Sequence, residues 1–377
     1  MMAHTMEEMK ATPDFRLARS GRFLVAELLR PHSVLSTSVR GGGRQDSLRY
    51  LVNHQSCEGA GHRERYEMIS EMGQEGYHDS ACAEIGLDPA AVAMMGTAAN
   101  MNYAALVDAA HEGLCVMAVV TAGVRGNATC AGDPSGWCET AEGWRKVEQA
   151  GTINTMLLMN RPLTEGALAR AVVTMTEAKS AALQRLAVRS RYSPDVATGT
   201  GTDQYCLAAA STGARPLTSS GPHVMLGELI GRAVRDATME ALRWQNGLEP
   251  SETRGLFHAL GWIGLKEATF FDDIAGRLTG RELELLRSNG KPVIYEPLVA
   301  ASAYAVAAVL DRVRYGTLPA GAASEALRQQ AALMAANLAA KPENWPEYRR
   351  ALVRAEPEHA RELVLDAIAL GWSSKWK

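Results

Sequence analysis

The run Leu114-Cys115-Val116-Met117-Ala118-Val119-Val120-Thr121 carries no charge and is rich in β-branched side chains. A continuous apolar run of this length predicts a buried central strand, which commits the chain to building a sheet around it. The strand delivers the chain into a Gly-rich polar loop, residues 122–134, that carries Asn127 and Asp133. A second apolar run, Tyr205-Cys206-Leu207-Ala208-Ala209-Ala210, has the same relation to a polar loop, this time in front of it. That loop reads Ala197-Thr198-Gly199-Thr200-Gly201-Thr202-Asp203-Gln204, three threonines alternating with two glycines and closed by a carboxylate. Glycine permits close backbone approaches, and polar loops at strand ends are common places for ligand chemistry. The competing reading is a structural turn whose hydroxyls satisfy their own backbone.

The rest of the chain reads as α+β. Residues 22–28, 33–39 and 48–53 read as short strands joined by brief connections, which implies antiparallel pairing. A flexible basic turn, residues 40–44, separates the second from the third. Residues 58–88 read as loop and short helices, 92–99 as extended, 133–151 as loop and 152–160 as a further strand. Pro162 and Thr164 announce a helix running to about residue 187. Leu168, Ala171, Val172, Met175, Ala178, Ala182 and Leu186 share its apolar face, and Arg170, Thr174 and Glu177 share the other. Lys179 projects from the middle of the apolar stripe. It must either snorkel to water or be held in a site, beside Asp203 or a substrate carbonyl, because an unpaired buried ammonium is costly. Gly221-Pro222-His223 opens another helix with His223 toward its apolar side. There His223 reads either as a core histidine or as a neutral imidazole fit for general base or metal ligand. Beyond residue 250 the chain is Ala- and Leu-rich with helical spacing. The expected fold is therefore a largely antiparallel or mixed sheet packed with helices, plus an α-helical C-terminal extension. Residues 1–21 are read as a leader, 22–248 as the α+β domain and 249–377 as the extension.

Composition narrows the function. A net charge of −3 over 377 residues argues against a general nucleic-acid or membrane-surface binder. No apolar run reaches the roughly 18 residues a membrane helix needs. The polar start, residues 1–14, lacks a secretory signal's apolar core, so a cytoplasmic protein is expected. Six cysteines without a C-x-x-C pair fit reduced thiols better than disulfides or zinc. Cys115 and Cys206 are expected in the core and Cys130 and Cys138 in a more accessible loop, with Cys130 a minor candidate nucleophile. There is no Walker loop, no Rossmann G-x-G-x-x-G opening a helix, no G-x-S-x-G elbow and no H-E-x-x-H pair.

An ordered set of segments remains. It comprises Leu35-Ser36-Thr37-Ser38, Asn53-His54, Thr121-Ala122-Gly123-Val124 with Asn127 and Gly132-Asp133, and Thr152-Ile153-Asn154. It continues through Gly166-Ala167-Leu168-Ala169-Arg170-Ala171-Val172, Thr176-Glu177-Ala178-Lys179-Ser180, the 197–203 loop, and His223 followed by Leu226-Gly227-Glu228-Leu229. Across about residues 22–245 this set resembles the adenosylcobinamide amidohydrolase family of corrinoid salvage. The resemblance implies hydrolysis of the amide joining aminopropanol to the corrin ring, yielding adenosylcobyric acid. Gly41-Gly42-Gly43 stands where the family's first turn is expected to read Asn-Gly-Gly, and the extension lies outside the resemblance. Two alternatives stay open: the same fold acting on another large metal chelate such as a siderophore, or a non-catalytic corrinoid-binding protein.

Amide hydrolysis needs an activated nucleophile, oxyanion stabilisation and an acid for the leaving amine. Asp203 is the candidate base, or the group that orients a nucleophilic Thr200 or Thr202, with Lys179 or His223 supplying the proton. Gly199, Gly201 and Asn127 are candidate oxyanion or binding groups. Asp133, Asn154, Glu177, Ser36 and His54 complete the candidate substrate-binding set. No metal ligand set and no required cofactor are expected; the cobalt-containing corrinoid is the substrate. The partner is thus a small molecule rather than nucleic acid or membrane, with homo-oligomerisation left open.

Overall fold

The computed structural model describes residues 6–57, 62–135, 137–140, 143–146 and 152–375. The chain divides into two compact units, Met1–Gly247 and Leu248–Lys377.

The first unit holds two large sheets. One runs in the order β1-β2-β3-β6-β7, comprising β1 (Glu7–Ala11), β2 (Phe15–Ser20), β3 (Phe23–Leu28), β6 (Tyr50–Gln55) and β7 (Val92–Thr97). The other runs β5-β4-β15-β13-β9-β8, comprising β4 (His32–Ser36), β5 (Gly43–Gln45), β8 (Ala105–His111), β9 (Leu114–Ala122), β13 (Ile153–Met159) and β15 (Gln204–Ala210). Within these two sheets the parallel pairs are β6 with β7 and β13 with β15, and the other pairs are antiparallel. The sheets are therefore mixed, and the chain is α+β as its sequence implied.

Side chains alternate across a strand, and that alternation builds the layers. Met117 and Val119 of β9, Met156 and Leu158 of β13, and Cys206 and Ala208 of β15 face one way. They join Leu17, Leu24, Ala26, Leu51, Ala93 and Met95 of the other sheet in one core. On the outer side of the five-stranded sheet, Val52, Val92 and Met94 pack with Ala81 and Cys82 of α1 (His62–Glu84). On the outer side of the six-stranded sheet lie α2 (Glu165–Arg185) and α3 (Met225–Asn246), with α3 against β8 and β9 and α2 beside it. The unit is a helix, sheet, sheet, helix sandwich. Two small antiparallel pairs complete it: β10 (Ala128–Thr129) with β14 (Gly199–Thr200), and β11 (Trp137–Thr140) with β12 (Gly143–Lys146).

The second unit is helical: α4 (Pro250–Thr253), α5 (Leu256–Leu260), α6 (Phe270–Ala275), α7 (Gly280–Ser288), α8 (Lys291–Ile294), α9 (Pro297–Arg314), α10 (Ala320–Ala339), α11 (Trp345–Ala351) and α12 (Ala360–Lys375). Its core is built from Leu256, Phe270, Val306, Leu327, Met334, Leu363, Ile368 and Trp372, among others. Among the described residues no helix is long and apolar enough to cross a membrane.

Several local expectations change. Residues 7–20, read as leader, form β1 and β2 and pair onto β3. Only Phe15 and Leu17 of β2 give an inward apolar signal, too short a pattern to stand out. Residues 62–84 are helical with a break at Gly73 (φ 74°, ψ 166°), more helix than a loop with short helices. The loop expected over 133–151 contains the β11–β12 ribbon, whose four-residue strands are too short for periodicity to register. Cys115, expected in the core, is exposed at the start of β9, whereas Cys206 is buried. The Cys138 side chain lies outside the described residues.

Candidate active site

The end of β9 and the starts of β13 and β15 are neighbours, since Asn154 lies across from both Thr121 and Gln204. The two Gly-rich loops leave the sheet from this shared edge and pair with each other. Ala128 lies across from Thr200 and Thr129 from Gly199, and the Ala131 N–H donates to Thr198 Oγ1 at 2.9 Å.

Asp203 is the centre of the arrangement. Its Oδ1 accepts from the Ile153 N–H at 3.0 Å, the Thr200 N–H at 3.1 Å and the Thr200 hydroxyl. Its Oδ2 accepts from the Thr200 N–H at 3.1 Å and from Lys179 Nζ, which reaches across from α2. Both members of this ion pair are largely covered, at 15% and 18% side-chain exposure. Lys179 thus does not snorkel; the apolar stripe of α2 carries it to the loop. Gly199 is demanded by close approach, since a Cβ there would press on Asp203 Oδ2 and stand 2.7 Å from Lys179 Nζ. Gly201 leaves the same room for Asn127, whose amide would lie 3.1 Å from a Cβ. Thr202, exposed, and Thr152, buried beneath it, share a hydroxyl–hydroxyl hydrogen bond.

Asn127 is buried and accepts from the Tyr192 hydroxyl at 2.7 Å. Asp133 is tied into its own loop by Thr129 Oγ1 at 3.0 Å, the Cys130 N–H at 2.7 Å and Ser190. Partial desolvation raises its pKa, but hydrogen bonds from Ser190, Ser193, the Cys130 N–H and Thr129 outweigh that and hold the carboxyl below the usual range. Asp133 therefore shapes the loop that also carries Cys130.

On the inter-sheet side of the same edge the apolar core ends in a polar layer. Asn53 Nδ2 donates to Thr121 Oγ1 at 2.8 Å, and Asn154 Nδ2 donates to Asn53 Oδ1 at 2.9 Å and the Gly96 carbonyl at 3.0 Å. Gln204 Oε1 accepts from the Gly96 N–H at 2.8 Å, and Ser36 is buried at the end of β4, paired across from Cys206. This network ties the five-stranded sheet to the strands that launch the Asp203 loop.

Three candidates fall elsewhere. His54 is fully buried on the α1 side of its sheet, stacked on Phe23 with ring centroids 4.2 Å apart and bonded through Nδ1 to Tyr77. Its neighbour Asn53 has the parity that faces the second sheet and holds the position in the network. Glu177 is exposed on α2, 4.0 Å from Arg170. His223 precedes α3 and is exposed, not turned to an apolar face; the helix starts at Met225 with Val224 as its cap. Thr174, assigned to the polar face of α2, is buried and donates to the Ser220 carbonyl at 2.9 Å, in the segment ahead of α3. Thr152, Asn53 and Gln204 stood in the sequence segments without an assigned role, and Tyr192 was not singled out. Strand parity with Leu51 was the available signal for Asn53; Tyr192 sits in an irregular segment with none. Among the described residues no group of three His, Cys, Asp or Glu is placed to hold a metal ion.

The family model for CbiZ, adenosylcobinamide amidohydrolase, matches residues 6–250. The chain belongs to this amidohydrolase family. The match begins at the start of β1 and ends just past α3, so it takes in the sandwich and both Gly-rich loops. A curated relative, "Uncharacterized protein MJ1613" of Methanocaldococcus jannaschii, is 34% identical over 183 residues, covering 46% of this chain and 71% of its own length. Among solved structures, the crystal structure of the PH0078 protein from Pyrococcus horikoshii OT3 aligns with a TM-score of 0.28 and 13% identity. It covers 64% of this chain and 83% of that one, a likeness too low to bear on the adenosylcobinamide amidohydrolase reading.

Proposed function

We propose that this chain hydrolyses the amide joining aminopropanol to the corrin ring of adenosylcobinamide, releasing adenosylcobyric acid and free aminopropanol. The observation that carries this reading is the Asp203 carboxylate held between Lys179 and the Thr200 hydroxyl, on a chain of this amidohydrolase family. A hydroxyl whose proton is already directed at a carboxylate is the arrangement a nucleophile needs.

In this mechanism Thr200 Oγ1 attacks the amide carbonyl carbon as its proton passes to Asp203 Oδ1. The Gly201 N–H, which donates to no protein group among the described residues, stabilises the developing oxyanion. The C–N bond breaks as the nitrogen takes a proton from Lys179, and the proton on Asp203 crosses to Lys179. Water then attacks the ester, with Asp203 taking its proton and returning it to Thr200 Oγ1. Exposed Thr202, backed by buried Thr152, and the Asn127–Tyr192 pair border the substrate.

Thr200→Ser is expected to keep measurable turnover, whereas Thr200→Val and Lys179→Met each lose about 100-fold or more in kcat. Acid-quenched wild-type protein is expected to show an ester on Thr200 by peptide mass spectrometry. Near-normal turnover by Thr200→Val would remove the threonine from the mechanism.

A further inference from the structure

At the far end of the six-stranded sheet from Asp203 lies a cavity of about 540 Å³. It is bounded by the start of β9, the residues after β13 and the loop after β15. The path along β13 from Asn154 to Asn160 is about 20 Å at the rise of an extended strand, so this cavity is separate from the candidate active site.

Its lining is divided in character. Phe15, Met117 and Leu158 supply an apolar floor, and Arg30, Arg161 and Asn160 supply the polar wall. The two acidic residues of the lining are already matched. Asp14 pairs with Arg30 at 2.6 Å, and Asp108 pairs with Lys10 at 2.7 Å. Arg161 has no ion pair or hydrogen bond among the described residues, and its Nε is buried without a partner, as is the Nε of Arg30. A buried guanidinium nitrogen without an acceptor is costly, and guanidinium geometry matches oxyanions in a two-point contact. Thr212, Gly213 and Ala214 line the same wall, and their backbone N–H groups donate to no protein acceptor among the described residues; Gly213 has φ +102°. Successive free amides around a glycine of this kind form an anion-accepting concavity.

We infer that this cavity is a second ligand site, one that takes a small organic oxyanion with its carboxylate or phosphate on Arg161 and the 212–214 amides and its apolar body on Phe15, Met117 and Leu158. A volume of this size exceeds what a bare inorganic anion fills and falls in the range of small-molecule pockets. The site does not depend on the amidase reading, since it shares no residue with it.

Titration calorimetry of the full chain with benzoate and with inorganic phosphate tests it. Binding of either probe is expected, with benzoate preferred if a carboxylate is the natural head group and phosphate if a phosphoryl group is. Arg161→Gln is expected to weaken that binding at least about tenfold, and Arg161→Lys by less, because Lys keeps the charge but not the fork. Amide hydrolysis by Arg161→Gln should match wild type. Absence of binding of both probes to wild-type protein up to about 10 mM, or an affinity unchanged by Arg161→Gln, would overturn the proposal.

Discussion

Asp203→Asn is expected to lower turnover of adenosylcobinamide by about 10²–10⁴-fold, the usual worth of a positioned proton acceptor. It is also expected to cost about 1–3 kcal/mol of stability. An Asn oxygen can still accept from Ile153 and Thr200, but the amide nitrogen would then face Lys179 Nζ, a donor against a donor. A purely structural role for Asp203 would give the same stability loss, so the two effects need separating. The double variant Lys179→Met with Asp203→Asn removes the ammonium that Asp203→Asn leaves unmatched, and its unfolding midpoint should recover part of the loss. Its turnover should stay at the level of the single variants. Recovery of activity along with stability would reduce the pair to a structural brace.

The second large effect is a loss of stability in acid, centred on His54. Burial lowers its pKa from 6.5 to about 3, with the charges of Arg22 and Arg65 adding in the same sense. The unfolded chain takes up a proton near pH 6.5, whereas the folded chain resists until about pH 3. This contribution to stability is therefore complete above pH 6.5 and falls by about 1.4 kcal/mol per pH unit as pH drops through that window. The pKa values of His32 and His78 are also lowered, chiefly by burial, and act in the same direction. His54→Phe keeps a ring stacked on Phe23 but loses the Tyr77 hydrogen bond, so it should be less stable than wild type at pH 7 by about 1 kcal/mol. Because it lacks the titrating group, the difference should shrink and reverse between pH 6 and pH 4. Denaturant midpoints across that range provide the check, and parallel curves for the two proteins would contradict it. The same burial explains why His54 is poorly placed as a substrate ligand.

The sheet strands and the two Gly-rich loops were legible because long apolar runs and glycine spacing are local signals. The Lys179–Asp203 contact was only one of two readings. A lysine in an apolar stripe declares that it needs a partner, not which loop supplies it, and the answer rests on α2 lying against β14 and the loop around it. His54 and Asn53 show the reverse case. Both are polar residues in a buried strand, and only the pairing of two sheets decides which one faces the network and which faces α1. His223 was misplaced because the helix starts at Met225, three residues after Pro222, and the side chain of His223 is exposed ahead of it. Tyr192 stands in none of the motif segments and joins the site from the irregular chain after α2, whereas Thr152 stood in one without a role and joins the site from the residue just before β13.

The most direct measurement of the central claim is product analysis after incubating the purified full chain with adenosylcobinamide in ¹⁸O-labelled water. Hydrolysis at this site predicts free aminopropanol together with adenosylcobyric acid carrying one heavy oxygen in its new carboxyl group. Tight binding of adenosylcobinamide with no aminopropanol released would instead make the chain a corrinoid carrier and contradict the account.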